Sequence, residues 1–229
     1  MPYILNIESA TDICSIAISQ DDKVLALQET KGNHASRMTL MMENCLAEAQ
    51  LQMRDLTAVA VSNGPGSYTS LRVGASVAKG ICYALDIPMI AVDTLETLAL
   101  AAFKAVKDLD ALYCPMIDAR RMEVYTAIFT PNTEGVVLTD PIKSLIVEAD
   151  SFEQFFNQNK RIVFCGNGAA KCQMVVGNEK SIFFDNICSS VNMIPLSKTY
   201  YYKKQFVDIA YYTPQYLKAP NITQAKKIL

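Results

Sequence analysis

A single histidine, His34, serves all 229 residues. That scarcity excludes the common metal centre built on several imidazoles of one chain. Carboxylates alone could hold a hard cation, but no Asp-x-Asp-x-Asp loop of the calcium-binding kind occurs. The seven cysteines (Cys14, Cys45, Cys82, Cys114, Cys165, Cys172 and Cys188) include no Cys-x-x-Cys pair, and their odd number cannot close fully into intrachain bridges. Cys14, Cys82 and Cys165 lie in apolar runs, where a thiol serves as a small core residue. No Gly-Lys-Ser/Thr ending marks a P-loop, and no Gly-x-Ser-x-Gly marks a nucleophile elbow. There is no run of 18 apolar residues and no basic-then-apolar leader, so no membrane partner is expected and a cytoplasmic setting is. With 21 basic against 23 acidic residues, the net charge of −2 gives no support to an autonomous nucleic-acid binder. Contact with RNA is expected only with a partner's help.

What is abundant is apolar surface: 51% of the chain is hydrophobic, enough for one large domain or two small ones with a true core. The richest signal runs from Ser62 to Gly80. An apolar strand, Ala58-Val59-Ala60-Val61, leads through Gly64, Pro65, Gly66 and Ser67 into a helix. Glycine supplies backbone angles that a Cβ forbids, and proline sets φ for the turn. Ser67, Thr69 and Ser70 offer oxygens to cap the first helical turn. The helix is poor in large side chains, with Gly74, Ala75, Ala78 and Gly80 beside Ser70 and Ser76. Three readings are open: an anion site at the helix N-terminus, a close contact with another helix, or burial against the helix's own sheet.

Tyr3–Ser9, Ile13–Gln20 and Lys23–Thr30 read as three strands of an antiparallel meander. A helix follows over His34–Gln50, with Met38, Met41, Met42, Cys45, Leu46 and Ala49 at helical spacing. Then come a strand Thr57–Ser62, the small-residue helix, a buried strand Pro88–Val92 and a helix Thr94–Lys107 opened by Asp93 or Thr94. The pattern begins again with strands Leu112–Ile117, Glu123–Phe129 and Val136–Ile146. A short helix Ser151–Asn157, a strand Arg161–Cys165 ended by Gly166-Asn167-Gly168, a helix Ala169–Val176 and an apolar stretch Ile182–Phe184 follow. Ser189–Tyr211 reads as helical in parts, with a tyrosine-rich stretch at Tyr200–Tyr202. A polar tail after Pro214-Gln215-Tyr216-Leu217-Lys218 is expected to fray. This order implies an α/β protein with an internal structural duplication. Residues 1–107 would form one half and residues 108–229 a smaller one, its last helix free to pack back on the first.

Taken together, Ile4-Leu5-Asn6-Ile7-Glu8-Ser9-Ala10-Thr11, Gly64-Pro65-Gly66-Ser67-Tyr68-Thr69, Leu71-Arg72-Val73-Gly74 and Ile117-Asp118-Ala119-Arg120 resemble the TsaB (YeaZ) family. Pro214-Gln215-Tyr216-Leu217-Lys218 is similar to that family's closing Pro-x-Tyr-Leu-Arg. The likeness is close over residues 1–125 and looser beyond. It implies two halves of the actin-like type shared with sugar kinases and DnaK-type chaperones, each a mixed sheet with helices. It also implies a non-catalytic scaffold in making threonylcarbamoyladenosine beside the tRNA anticodon. In that pathway the sister protein TsaD is the transferase, the small ATPase TsaE joins the pair, and tRNA is met only through the complex. TsaD holds its metal partly with a His-x-x-x-His segment after a buried strand. Here Thr94 and Leu98 stand in those places, and neither replaces an imidazole as a ligand. The resemblance therefore implies no metal and no tightly bound cofactor, with ATP or ADP confined to a seam with TsaD.

The family's pairing surface is carried by its first two helices. That assigns His34, Met38, Met41, Met42, Cys45, Leu71, Arg72, Gly74, Ala75, Ala78 and Cys82 to an interface, with TsaD or with a second copy when alone. Apolar residues of the first helix form two rows, Met38-Met41-Cys45 and Met42-Leu46-Ala49, so one could face the home sheet and the other a partner. His34 is expected at a cap or interface rather than in catalysis. A degenerate phosphate site is expected from Glu8, Ser9, Thr11, Asp118 and Arg120, behind the helix-opening loop Gly64-Pro65-Gly66-Ser67. Two carboxylates could share a hydrated Mg²⁺. Yet Glu8 stands where most members of the family have aspartate, and Gly166-Asn167-Gly168 is a thin remnant of an adenosine-holding segment. A structural role for Glu8 is favoured. The alternative is an independent weak ATPase or a glycoprotein-peptidase-like hydrolase. The latter needs a metal or a nucleophile–base pair that one histidine poorly supplies. Lys226 and Lys227 are read as solvated surface.

Overall fold

Apolar residues fill both faces of the central strands, and the architecture follows from that. The computed structural model describes residues 1–32 and 34–218, without the side chains of residues 34 and 35. Lys226, Lys227 and the expected frayed tail lie outside the described residues, as does the side chain assigned to a cap or interface at His34. Strands β1 (Tyr3–Glu8), β2 (Ile13–Gln20), β3 (Lys23–Lys31), β4 (Ala58–Gly64) and β5 (Met89–Asp93) form one sheet in the order β3-β2-β1-β4-β5. The first three make the expected antiparallel meander, and β4 and β5 extend it in parallel with β1. Strands β6 (Leu112–Asp118), β7 (Glu123–Pro131), β8 (Val136–Ile146), β9 (Ile162–Cys165) and β10 (Ser181–Phe184) form a second sheet in the order β10-β9-β6-β7-β8. Taken from its other edge, this is the same plan: a meander of three, then two parallel strands beside its first member. The fold is the duplicated, two-sheet α/β type that the order of elements implies.

Among the described residues six α-helices cover these sheets: α1 (His34–Glu48), α2 (Tyr68–Leu85), α3 (Thr94–Val106), α4 (Glu153–Phe156), α5 (Ala169–Val176) and α6 (Ser190–Tyr202). Leu5, Ile7, Val59 and Val61 point to α1 and α2. Their neighbours Ile4, Ala58 and Ala60 point the other way, to α6 and to Leu100 of α3. Alternation on a strand buried twice gives the continuous apolar runs seen in the sequence. α3 lies against the second sheet, setting Leu95, Leu98, Ala99 and Ala102 among Tyr113, Ile117, Phe129 and Val163. α4 and α5 close that sheet's far face. The return of α6 to the first sheet is fixed by buried polar groups. Ser197 Oγ donates to Asn6 Oδ1 at 2.6 Å, and the Ser190 N–H donates to Ser15 Oγ at 2.9 Å. Ser189, the N-cap of α6, donates to Glu29 at 2.7 Å. Such groups are costly to bury unpaired, so they specify where the helix sits.

The two helices to which the resemblance assigns pairing differ from expectation. Met38, Met41, Met42, Cys45 and Leu46 are all buried in the chain's own core, so both apolar rows of α1 face its sheet. A core-facing stripe spans at least about 100° of a helix, which accommodates two adjacent rows. On α2, Leu71, Gly74, Ala75, Ala78 and Cys82 are buried in the same way, and only Arg72 of that set lies on the surface. The small residues of α2 serve helix-on-sheet packing: a Cβ at Gly74 would collide with Ser9 Oγ. All seven cysteines are buried and unbridged.

Candidate functional site

The ends of β1, β4, β6 and β9 open on one cleft between the sheets, of about 1540 Å³. Its walls are Ala10–Asp12 beyond β1, Gly66–Ser70 at the start of α2, Ile117–Arg121 at the end of β6, Asn167 beyond β9, and Tyr216–Lys218. Open α/β sheets place ligand sites beyond the carboxyl ends of their parallel strands, as here.

The five residues assigned to a phosphate site separate into two groups. Glu8 and Ser9 do not line the cleft. Glu8 is fully buried, its Oε1 accepts the Ala10 N–H at 2.7 Å, and Oε2 has no partner among the described residues. Burial pushes this carboxyl up to about 7, against the lowering effect of the Ala10 hydrogen bond. Ser9 is buried as well, its Oγ without a partner among the described residues. The turn after β1 is held against the loop before α2, where Ser67 N–H donates to the Ala10 carbonyl at 2.7 Å. A Cβ at Gly66 would collide with that same carbonyl, which is why glycine stands there. Ser67 makes no side-chain cap; its Oγ lies 2.9 Å from Ser70 Oγ, so the capping expected of these hydroxyls is replaced by a bond between them.

Thr11, Asp118 and Arg120 do reach the cleft. Asp118 is committed, however. Its carboxylate accepts the Arg120 N–H at 2.8 Å and pairs with Lys171, and its own N–H donates to Asn167 Oδ1 at 3.1 Å. Lys171 Nζ also donates to the carbonyls of Arg121 and Glu123, both at 2.7 Å. These bonds hold the β6–β7 turn with Arg120 at φ 73° and Arg121 at φ 51°, a left-handed backbone that costs non-glycine residues about 1–2 kcal/mol each. Asn167 thus helps to hold the turn from across the cleft. Nothing local in the sequence announced Lys171, since its partners lie some fifty positions away.

A second feature absent from the sequence reading is the strap over one wall. Gln215 N–H donates to the Asn63 carbonyl at 2.7 Å. Tyr216 packs tilted on Tyr68 at 4.6 Å between ring centroids, and Arg72 donates to Tyr68 Oη at 2.7 Å. Lys218 pairs with Glu123 of β7, whose carboxylate also accepts from Ser144 at 2.6 Å. Gly64, at φ +96°, makes the approach of Gln215 possible: a Cβ there would lie 2.8 Å from the Gln215 carbonyl oxygen. The closing motif therefore ties the first half to the second.

Away from the cleft, Thr94 and Leu98 are fully buried at the start of α3. Asp93 caps that helix, accepting the N–H groups of Leu95 and Glu96 at 2.9 and 3.0 Å, and burial pushes its carboxyl up to about 6. No group of three His, Cys, Asp or Glu side chains with metal-binding geometry occurs among the described residues.

The family model described as "TsaD: tRNA N6-adenosine threonylcarbamoyltransferase" matches residues 28–208. The tRNA threonylcarbamoyladenosine biosynthesis protein TsaB of Buchnera aphidicola (Acyrthosiphon pisum) is 33% identical over 159 residues, 69% of this chain and 71% of that protein. The Bacillus subtilis TsaB is 32% identical over 166 residues, 72% of this chain and 70% of that protein. Among solved structures, YeaZ from Pseudomonas aeruginosa superposes with a TM-score of 0.79 at 22% identity, covering 95% of this chain and all (100%) of that one.

Proposed function

Since this chain belongs to the TsaB family of tRNA threonylcarbamoyladenosine biosynthesis proteins, we propose that it supports formation of threonylcarbamoyladenosine on tRNA as a non-catalytic partner of a TsaD-type transferase. The burial of Glu8 carries this reading. In an actin-like ATPase a carboxylate at the end of the first strand must face the cleft to direct a metal and water. Here it is sealed in the core, and Asp118 across the cleft is engaged by Lys171. Neither is poised to activate a nucleophile. The role left is one of contact and activation.

The outward side of α1 and α2 supplies the contact surface on this reading. It carries Leu40, Arg72, Ser76 and Tyr83, all exposed, where the buried residues named from the sequence cannot reach a partner. A second copy occupies it when the chain is alone, the transferase displaces that copy, and a TsaE-type ATPase joins the pair. The chain holds no cofactor of its own tightly; ATP or ADP belongs at the seam with the transferase, and the setting is the cytoplasm.

The test is sedimentation velocity of chain and transferase, mixed and apart, with ATP turnover measured on the chain alone. Equimolar co-sedimentation and no turnover above buffer are expected. Turnover near 1 s⁻¹ that is lost in Asp118→Asn would replace this reading with the independent ATPase.

A further inference from the structure

One stripe of α6 ties the helix to the β2–β3 turn and leads to rings and cations left at the surface. Val191, Pro195, Lys198 and Tyr202 follow one another at helical spacing and face the β2–β3 turn. Lys198 Nζ pairs with Asp22 at 2.5 Å, and Tyr202 Oη donates to Asp21 at 2.6 Å. At the near end, Val191 and Pro195 join Asp22, Val24, Leu100 and Lys104 around a groove of about 400 Å³. At the far end Tyr202 is 58% exposed and Phe206 40%, both standing edge-on to Tyr201. Between these rings in the chain, Lys203 and Lys204 are exposed, as is Lys23 at the start of β3. None of these three lysines has an ion pair among the described residues. The acidic groups nearby are Asp21 and Asp22, already engaged, and Asp208, whose carboxylate caps the Ala210 N–H.

Exposed flat rings flanking unpaired cations, beside a groove of about 400 Å³, suit an unpaired RNA strand: bases stack on the rings while lysines meet phosphates. An apolar protein face would leave these lysines buried without counter-charges. We propose that this track, from the α6 groove to the Tyr202–Phe206 rings, contacts an unpaired segment of the RNA handled by the assembly. The track runs along about 16 Å of helix. The inference rests on the proposed function. A chain of net charge −2 draws RNA poorly by itself, but a local basic patch acts once a partner has brought the strand close.

The experiment is fluorescence anisotropy of a labelled, unmodified tRNA transcript titrated with the reconstituted pair of chain and transferase, at four salt concentrations. Lys203→Glu/Lys204→Glu should weaken binding at least tenfold and lower the salt slope by about 2. Tyr202→Ala should weaken it about tenfold, and Tyr202→Phe, which keeps the ring and loses only the bond to Asp21, should bind as the unaltered chain does. A charge-matched control on a distant surface, Arg54→Glu/Lys160→Glu, should leave binding unchanged. Equal affinity and salt slope for all variants overturns the track while the pair still forms, leaving the proposed function intact. Equal losses in the control and the lysine variant overturn it too, by showing a diffuse charge effect. Failure of the unaltered chain to pair with the transferase counts against the proposed function itself.

Discussion

Glu8 shows how one buried group sets behaviour that the whole chain inherits. Its ordinary value in an unfolded chain is near 4.5, and the folded environment raises it to about 7. The native state therefore holds this proton over a range where the unfolded state has lost it. Stability on this account falls as pH rises from about 4.5 to about 7 and is level above, a loss of up to about 3 kcal/mol. Asp93, raised to about 6 by burial, adds to the same fall. Glu8→Gln keeps the acceptor for Ala10 and cannot ionise. Urea melts at pH 5 and pH 8 should show the decline in the unaltered chain and a much smaller one in the variant. An equal decline in both would place the responsible proton elsewhere.

At the scale of elements, α2 decides between packing at home and packing abroad. Ala78 is fully buried, so Ala78→Tyr overfills the core and should cost several kcal/mol, seen as a large fall in melting temperature. Ser76 is exposed on the outer side of the same helix. Ser76→Arg should leave the melt within about 0.5 kcal/mol and abolish pairing with the transferase in a sedimentation assay. A variant that still pairs at full strength removes this face from the interface. Helix and strand order was legible because apolar periodicity reports which residues are buried. It does not report against what. The small residues of α2 have one appearance whether they meet a neighbouring helix or Ser9 of the same chain, and the two methionine rows of α1 turned out to be one broad inner face. The tie between Asp118 and Lys171, and that between Tyr68 and Tyr216, join positions far apart in the chain, so no local pattern carries them.

Over the whole molecule, two copies of one sheet plan meet at a cleft that Asp118 lines and the buried Glu8 does not. The strap from Gln215 to Lys218 holds the halves together across that cleft. Tyr216→Ala removes a ring pair of about 1 kcal/mol. Hydrogen exchange should quicken at residues 63–68 and at the β6–β7 turn while the centres of both sheets stay protected. Uniform quickening would mean that the strap supports global stability instead. The central claim, activation without chemistry, is tested most directly by the rate of threonylcarbamoyladenosine formation on tRNA. The reaction would contain transferase, TsaE-type ATPase and threonylcarbamoyl-adenylate, with this chain unaltered, absent, or carrying Glu8→Gln/Asp118→Asn or Ser76→Arg. The account predicts full rate with the carboxylate variant and the basal rate both without the chain and with Ser76→Arg. Loss of rate on removing the carboxylates, in a variant that still folds and pairs, would contradict it.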